Sequence, residues 1–457
     1  MSDQDNGQVS TLQRPTTDDP MVWKAYWKAQ GWSWRTEPEI DAERQKYLDE
    51  RRAVVPDIEK GIYPFGGVKL SRADVEWLLA THENGRGPVD WHDPNQRNRK
   101  GLDLRGADLR LTRLHYLPLA CMQGGFEDLT QEIRKVDFDR DMSLGDEIRI
   151  AAVHLEGANL FGSQLEEANL YEAHLEGTEL GYTKLLEAKL TGAYMQKASL
   201  VEADLRNANL FGAHLEGANL QLAYLGGAKL DHAYLDNSTV LSNTVLVDKQ
   251  IGSVSLQGVN WAGTDLTGIN WKPMKMLGNE LEARQSKKSL IDEMGTEYQK
   301  KMVVLFPYMQ AIRANRQLAV VLRDQGLNEE AAYFAYRAQL CQRVLLRLQK
   351  KFGQYLFSLF LDLLAGYGYR PGRSVIWYLV TIFGFALAYF AIGHLPFLPD
   401  AFVFSLTSFH GRGFFPGLGT EASLHNPLVV MAAFEAVVGL LIEISFIATF
   451  TQRFFGR

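Results

Sequence analysis

The sequence is poor in cysteine, with only Cys121 and Cys341 among its 457 residues. Two cysteines so far apart provide neither a disulfide framework nor the close spacing of a cysteine metal site. They favour a reducing cytosol for the soluble part of the chain. The sequence also lacks a P-loop, a nucleophile–base motif and a cluster of metal ligands, so we expect no enzymatic activity and no cofactor. The polar N-terminal segment has no apolar core, which predicts that no signal peptide is cleaved.

Long apolar runs are missing from most of the chain and are concentrated near its end. Charge is also unevenly distributed around the net value of −6. Residues 151–240 contain twelve acidic and five basic side chains, whereas residues 331–373 contain seven basic side chains and one aspartate. An acidic segment followed by a basic one predicts a partner or a membrane surface near the basic segment.

A five-residue period dominates the centre of the sequence. From Leu155 to Val240, leucine, methionine or valine recurs at every fifth residue, and a small residue lies two positions before most of them. The phrase HLEG returns after twenty residues. One large and one small inward residue per pentapeptide suit a square coil with one pentapeptide per side, whose coils stack about 4.8 Å apart. Residues 101–272 are therefore predicted to form a solenoid.

The segments ANLFG, ADLRN and ANLQL resemble the consensus of the pentapeptide-repeat family. The resemblance implies a right-handed quadrilateral β-helix. It begins at Leu104, Leu109 and Leu114, and we expect an insertion around residues 115–150 to interrupt it. It resumes after Val240 with its phase shifted by one residue, and tryptophans are expected to close the end. The resumed positions are Leu256, Trp261, Leu266 and Trp271.

The twenty-residue repeat aligns aromatic and acidic residues on one face of the predicted coil. The possible partner face consists of His154, His174, Tyr194, His214 and Tyr234. Two positions after each ring are Glu156, Glu176, Gln196, Glu216 and Asp236. This face could bind a basic cytoplasmic protein or respond to pH, or it could be a solvated side-chain ladder. Some relatives mimic DNA, but we expect no nucleic-acid partner for this chain.

The flanking regions are predicted to be helical. Residues 1–100 form a helical and irregular region, in which His82 and His92 have no partner at metal-ligand spacing. Residues 273–352 form an α-helical hairpin connector, with one helix over Pro307–Gln325 and another starting at Asn328. This pair resembles a tetratricopeptide hairpin, which could be a packing module or a peptide receptor. Residues 353–373 are predicted to be an interfacial helix followed by a basic linker.

Two segments are long and apolar enough to cross a membrane, Ser374–Gly393 and Pro427–Phe450. Basic residues flank their outer ends, whereas the loop between them contains only Arg412. The positive-inside rule therefore predicts a two-span protein of the cell membrane with both termini in the cytoplasm.

Residues 374–457 resemble a two-transmembrane, potassium-channel-like domain, because a short apolar segment and a glycine-containing turn lie between two spans. Pentapeptide repeats, a helical connector and such a domain are an arrangement found among bacterial proteins. The resemblance implies a homo-oligomer, a tetramer, with a re-entrant pore loop. The pore-loop residues are Phe404, Ser405, Ser408, Gly411, Arg412, Gly413 and Phe415. Because Phe415 replaces a filter glycine and Arg412 lies within the filter, we expect weak or altered selectivity.

Two carboxylates, Glu435 and Glu443, lie within the second span, where ionisable residues are costly. They could line a pore, could pair with Arg412, Ser405 or a neighbouring subunit, or could be hydrogen-bonded in helix packing. The sequence thus leaves two functions open. One is an oligomeric ion-channel-like pore with a cytoplasmic sensor or docking domain, and the other is a non-conducting, membrane-anchored scaffold.

Overall fold

The computed structural model describes residues 13–57, 60–126, 150–285, 297–393, 397–411 and 427–454. The chain divides into two compact units. The first contains Met1–Ser289 and Val320–Leu327, and the second contains Leu290–Ala319 and Asn328–Arg457. Each unit is described by itself below.

The first unit opens with four short helices. They are α1 (Pro20–Ala29), α2 (Ala42–Arg52), α3 (Arg72–Ala80) and the single turn α4 (His82–Gly85). The polar residue before each of the first three helices accepts a backbone N–H of the first turn, as expected of an N-cap. At α3 the Ser71 and Asp74 side chains form a capping box.

This helical region covers the first coil of the solenoid. The backbone of residues 68–70 pairs with Asp108. The Leu70 N–H donates to the Asp108 carbonyl, and the Asp108 N–H donates to the Val68 carbonyl, both at 2.9 Å. Arg72 of α3 donates to the backbone carbonyls of Arg113 and His115, at 3.0 and 3.1 Å. Residues 1–100 therefore include a cap that satisfies backbone groups at the edge of the coil, where unpaired strands would otherwise be exposed.

The solenoid is a stack of coils paired by single parallel β-bridges. Bridges join positions twenty residues apart on each of four sides, as in His154↔His174, Asn159↔Glu179, Gln164↔Lys184 and Asn169↔Lys189. The central residue of every pentapeptide from Leu155 to Leu235 is at most 3% exposed. The small residues two positions earlier are also buried. The predicted inward set is thus confirmed over this range, and leucine burial from coil to coil forms the core.

The structure corrects the expected ends of the repeat. Pro118 and Gln123 pair with the next coil, so residues up to 126 belong to the first coil, and the insertion does not begin near 115. Val240 was expected to point inward but is 39% exposed, whereas Leu241 is buried. The reason is one extra residue, since Asn219 pairs with Val240, 21 positions on. The phase shift therefore precedes Val240 instead of following it.

A hairpin and a helix close the other end of the solenoid. Strands β1 (Val247–Asp248) and β2 (Gly252–Ser253) pair antiparallel, and α5 (Gly278–Gln285) follows the last repeats. Trp261 and Trp271 are 8% and 5% exposed. Their burial at the end of the stack matches the closing role expected from the sequence.

The second unit contains most of the remaining helices. They are α6 (Glu297–Asp324, whose last turn belongs to the first unit), α7 (Asn328–Leu348), α8 (Phe352–Ala365), α9 (Pro371–Gly393), α10 (Leu398–Phe409) and α11 (Pro427–Phe454). Helix α6 begins ten residues before the predicted start at Pro307 and runs through that proline. The tetratricopeptide-like pairing of α6 and α7 stays a prediction.

Helices α9, α10 and α11 pack against one another, with α8 against α9 and α11. One apolar cluster contains Leu364, Ile382, Phe409 and Ile442, and a second contains Tyr389, Ala401, Phe404 and Ala432. The approach of α11 to the end of α10 requires Gly439, because a Cβ there would lie 2.3 Å from the Phe409 carbonyl oxygen. Helices α9 and α11 are each long and apolar enough to cross a membrane.

Candidate functional site

A column of stacked rings runs along one side of the solenoid, and we call it the ring ladder. Its members are His154, His174, Tyr194, His214 and Tyr234. Successive ring centroids are 4.7, 5.0, 5.1 and 4.6 Å apart, and the ring planes lie within 9° of parallel. This spacing matches the distance of about 4.8 Å between paired strands. The backbone bridges therefore hold the rings in a continuous stack.

A column of acidic and amide side chains accompanies the ring ladder. Each ladder histidine places Nδ1 close to a carboxylate oxygen two residues later. The Nδ1–Oε1 distances are 3.0 Å for His154–Glu156, 3.2 Å for His174–Glu176 and 3.3 Å for His214–Glu216. Gln196 takes the place of the glutamate beside Tyr194. The ladder thus contains three histidine–glutamate rungs, of which only the first two are adjacent.

The acidic column has buried acceptor atoms that no described donor reaches. They are Glu156 Oε2, Glu176 Oε2, Gln196 Oε1 and Glu216 Oε2. A buried acceptor without a hydrogen bond costs about 1–3 kcal/mol. The described residues therefore leave these four acceptors without a hydrogen bond.

Two aspartates near the ends of the ladder already have strong partners: Asp108, which pairs with His154 of the ring ladder, and Asp236, which ends the acidic column. Hydrogen bonds from Arg110 lower the pKa of Asp108 to about 2. Hydrogen bonds from the Ser238 hydroxyl, the Gly217 N–H and neighbouring groups lower the pKa of Asp236 to about 2. Both carboxylates stay charged well below neutral pH, but Arg110 neutralises Asp108, so only Asp236 of this pair contributes net negative charge to this face.

Glu435 lies inside the helical bundle, not on its surface. It is 0% exposed and accepts a hydrogen bond from the Tyr389 hydroxyl of α9 at 2.7 Å. The Ser405 hydroxyl of α10 lies 2.5 Å from its other oxygen. The described helices of its own chain therefore enclose this carboxylate, and a pore-lining role for Glu435 stays a prediction. The alternative pairing with Ser405 in helix packing agrees with the structure.

Glu443 lies eight residues after Glu435 on α11 and is partly exposed. Its Oε1 is hydrogen-bonded to Nδ1 of His410, the residue that directly follows α10. These two side chains line an open groove of about 500 Å³ together with Tyr378, Ile442 and Phe446. A pore-lining role for Glu443 stays a prediction, but its histidine partner was not anticipated from the sequence.

The predicted pore-loop residues fall into two groups. Phe404, Ser405 and Ser408 are buried on α10, facing the helices of their own subunit. Gly411 follows this helix in a left-handed conformation, with φ of +68°. The remaining pore-loop positions, Arg412, Gly413 and Phe415, lie outside the described residues.

Asp362 joins three helices and was missed in the sequence. Its carboxylate accepts hydrogen bonds from Tyr336 and Arg343 of α7, at 3.0 and 2.5 Å, and from Arg373 of α9 at 2.9 Å. Burial raises the pKa of Asp362, but the hydrogen bonds from Arg343 and Tyr336 outweigh burial and the pKa is lowered overall. The available signal was its position as the one acidic residue in a basic segment.

Comparison with known proteins gives matches within the solenoid. The sequence model of pentapeptide repeats matches residues 168–207, 188–227 and 208–246. No curated protein matches the chain.

Several solved structures are similar over part of the chain. A pentapeptide repeat protein, Rfr23, from the cyanobacterium Cyanothece 51142 is 28% identical, covering 30% of this chain and 90% of its own, with a TM-score of 0.19. A pentapeptide repeat protein from the Arabidopsis thaliana thylakoid lumen is 22% identical over 28% and 77%, with a TM-score of 0.19. HetL from Nostoc sp. strain PCC 7120, involved in heterocyst differentiation regulation, is 24% identical over 39% and 84%, with a TM-score of 0.13.

Proposed function

We propose that this pentapeptide-repeat protein is a membrane-anchored scaffold, whose solenoid docks a basic protein segment on the face around the ring ladder. The observation that carries the proposal is the column of carboxylates beside stacked rings, with buried oxygens that lack hydrogen-bond donors among the described residues. A solenoid offers an extended binding surface on a fixed backbone. Pre-organisation reduces the entropy lost on binding.

The charge of this face favours a basic partner over nucleic acid. The coils of residues 151–240 as a whole have a balance of −7, from twelve acidic and five basic residues. On the face of the ring ladder, Asp236 adds a carboxylate with a depressed pKa at one end of the column. Arginine or lysine side chains could form ion pairs with the partly exposed glutamates of the column.

The apolar faces of the second unit support the membrane anchor. Large side chains at helical spacing are exposed on α9 at Ile376, Val380, Phe383 and Leu387, and on α11 at Phe434, Val437, Leu441 and Ile444. Helix α8 exposes a similar stripe at Phe352, Leu356, Phe360 and Leu363. Such stripes suit lipid, with α9 and α11 crossing the bilayer and α8 lying at its surface. In this proposal both termini are cytoplasmic, because basic residues flank the outer ends of the two spans.

Asp362 supports communication between the helical connector and the first span. It holds α7 to α9 through Arg343 and Arg373. A displacement of α7 would therefore either break these ion pairs or move α8 and α9 with it. In this proposal, a displacement of α7 reaches the first membrane helix through Asp362.

A second candidate function is an oligomeric, channel-like pore of weak or altered selectivity. It is favoured by the position of the short helix α10 between the two long helices and by the Glu443–His410 pair at the edge of the bundle. Two spans cannot enclose a pore, so this function requires several subunits, four by resemblance to two-span channels. A titratable pair at a subunit edge could attract cations or respond to pH.

Reconstitution of the full chain distinguishes the two functions. We expect the protein to resist alkaline extraction from membranes and to show no ion current in planar bilayers across voltage and pH, in preparations shown to be oligomeric. A current whose amplitude or selectivity changes in Glu443→Gln would reject the scaffold and establish the pore. Glu435→Gln is the matched control, because that side chain is enclosed within the subunit.

The docking function is tested separately by binding. A soluble basic peptide should bind the full chain in detergent, with affinity that falls as salt increases. A double variant, Glu176→Gln with Glu216→Gln, should weaken binding, whereas Glu202→Gln on another side of the coil should not. Equal effects of the two changes would reject the ring ladder as the docking face.

A further inference from the structure

The first two rungs of the ring ladder bring metal-ligating atoms together. A ring nitrogen of His154, a ring nitrogen of His174 and a carboxylate oxygen of Glu156 all lie within 4.8 Å of one another. Glu176 lies outside this group of three, and its Oε1, 3.2 Å from Nδ1 of His174, would be the fourth donor. From this arrangement we propose that His154, Glu156, His174 and Glu176 bind a divalent transition-metal ion of the zinc class between two coils.

The donor set suits zinc. Two imidazoles and two carboxylates are borderline ligands that zinc accepts in tetrahedral sites, with bonds of about 2.0–2.2 Å. Ligand atoms around such an ion are separated by about 3.3 Å, from the tetrahedral geometry of those bonds. Within each rung the separation of nitrogen and oxygen is already 3.0 and 3.2 Å. The two rings are stacked 4.7 Å apart with planes 6° from parallel, so each ring must rotate until the lone pair in its plane points at the ion, and metal binding opens this one step of the stack.

The side chains have the freedom and the access that this movement requires. The four side chains are between 27% and 37% exposed, so an ion can enter from solvent. One oxygen of each carboxylate, Oε2, has no hydrogen-bond partner among the described residues. The nearby cation Arg110 is held by Asp108 through two hydrogen bonds of 2.8 and 2.6 Å. It therefore does not fill the place of the metal.

The third histidine rung provides an internal comparison. His214 and Glu216 repeat the same HLEG phrase and the same contact, at 3.3 Å. However, the ladder neighbours of His214 are Tyr194 and Tyr234, at 5.1 and 4.6 Å. A metal between rungs needs a histidine on each rung. The site therefore forms at the first pair of rungs and not at the third.

The test uses the full chain in detergent with its affinity tag removed. Zinc binding is measured by calorimetry, and the geometry by the visible absorption of bound Co²⁺. We expect one Zn²⁺ per chain in the wild type and no heat from Mg²⁺. His174→Tyr should weaken zinc binding by about tenfold or more, whereas His214→Tyr should leave it unchanged. Tyrosine preserves the stack, because it occupies the equivalent positions 194 and 234.

A second measurement excludes loss of folding. Hydrogen exchange of amides in residues 151–180 should slow when Zn²⁺ is added to the wild type, and should be the same in both tyrosine variants without metal. Three results would overturn the proposal: no zinc binding by the wild type, equal binding by all three proteins, or equal loss in His174→Tyr and His214→Tyr.

Discussion

The inward side chain of each pentapeptide should control the stability of neighbouring coils, and Leu205 allows this to be measured. It is 0% exposed, and its strand pairs on one side with the strand of Leu185 and on the other with that of Leu225. Leu205→Ala removes three buried carbon atoms, worth about 2.4 kcal/mol of transfer free energy at about 0.8 kcal/mol each. With the cavity included, we expect a loss of about 3–4 kcal/mol.

The assay is native-state hydrogen exchange of the full chain, which reports the free energy of opening for each coil. The expected loss should appear in amides of residues 180–230. Leu205→Met should cost less than about 1.5 kcal/mol, because Met195 fills an equivalent inward position. Leu222→Ala is the matched control, since Leu222 is 39% exposed in a turn, and it should change stability by less than about 0.5 kcal/mol. Equal effects at Leu205 and Leu222 would refute the inward assignment and the repeat mechanism of stabilisation.

Three further predictions concern the helical unit and can be measured by urea unfolding in detergent. Glu435→Ala should destabilise the helical unit by about 1–3 kcal/mol, because the buried Tyr389 hydroxyl loses its acceptor. Glu435→Gln should cost less stability, and equal losses in the two variants would contradict the role of this hydrogen bond. Gly439→Ala should destabilise the packing of α11 on α10, since the new Cβ would lie 2.3 Å from the Phe409 carbonyl oxygen. Gly384→Ala is the control: its Cβ would meet nothing within 4 Å, so this change should be neutral or stabilising. The pKa of Asp362 is lower in the folded protein than in the unfolded chain. The charged carboxylate therefore stabilises the fold above the unfolded pKa of about 4, and this stabilisation is lost as the pH falls below that value. Asp362→Asn should therefore flatten the dependence of stability on pH between about pH 5 and pH 3, and an unchanged slope would show that Asp362 does not contribute.

The interior of the solenoid was predictable because each inward position depends on a local repeat. Spacing alone identified Leu155 to Leu235 as core and the ring ladder as one face. It failed near Asn237, where one extra residue shifts the register. The sequence there reads equally well in two phases, and only pairing of Val240 with Asn219 selects one. The coil formed by residues up to 126 was missed for a related reason, because its position is defined by pairing with Gln164 and Asn169 across a long insertion.

The two long helices of the second unit were also predictable from the sequence, since the length and apolar content of a segment are local properties. The environment of Glu435 was not. Helical spacing allowed Glu435 and Glu443 to face one interior, yet one is enclosed and the other lies at an edge.

The sequence by itself therefore determined the five-residue coil, its inward leucines, the stacked face and the two long apolar helices, because a repeating pattern or a composition fixes each of them locally. Only the tertiary structure decided the partners of Glu435, Glu443 and Asp362. Those partners come from other helices, and a one-dimensional pattern does not specify which faces of separate helices meet. The close approach at Gly439 sets one such contact, and the packing around it decides which carboxylate is enclosed.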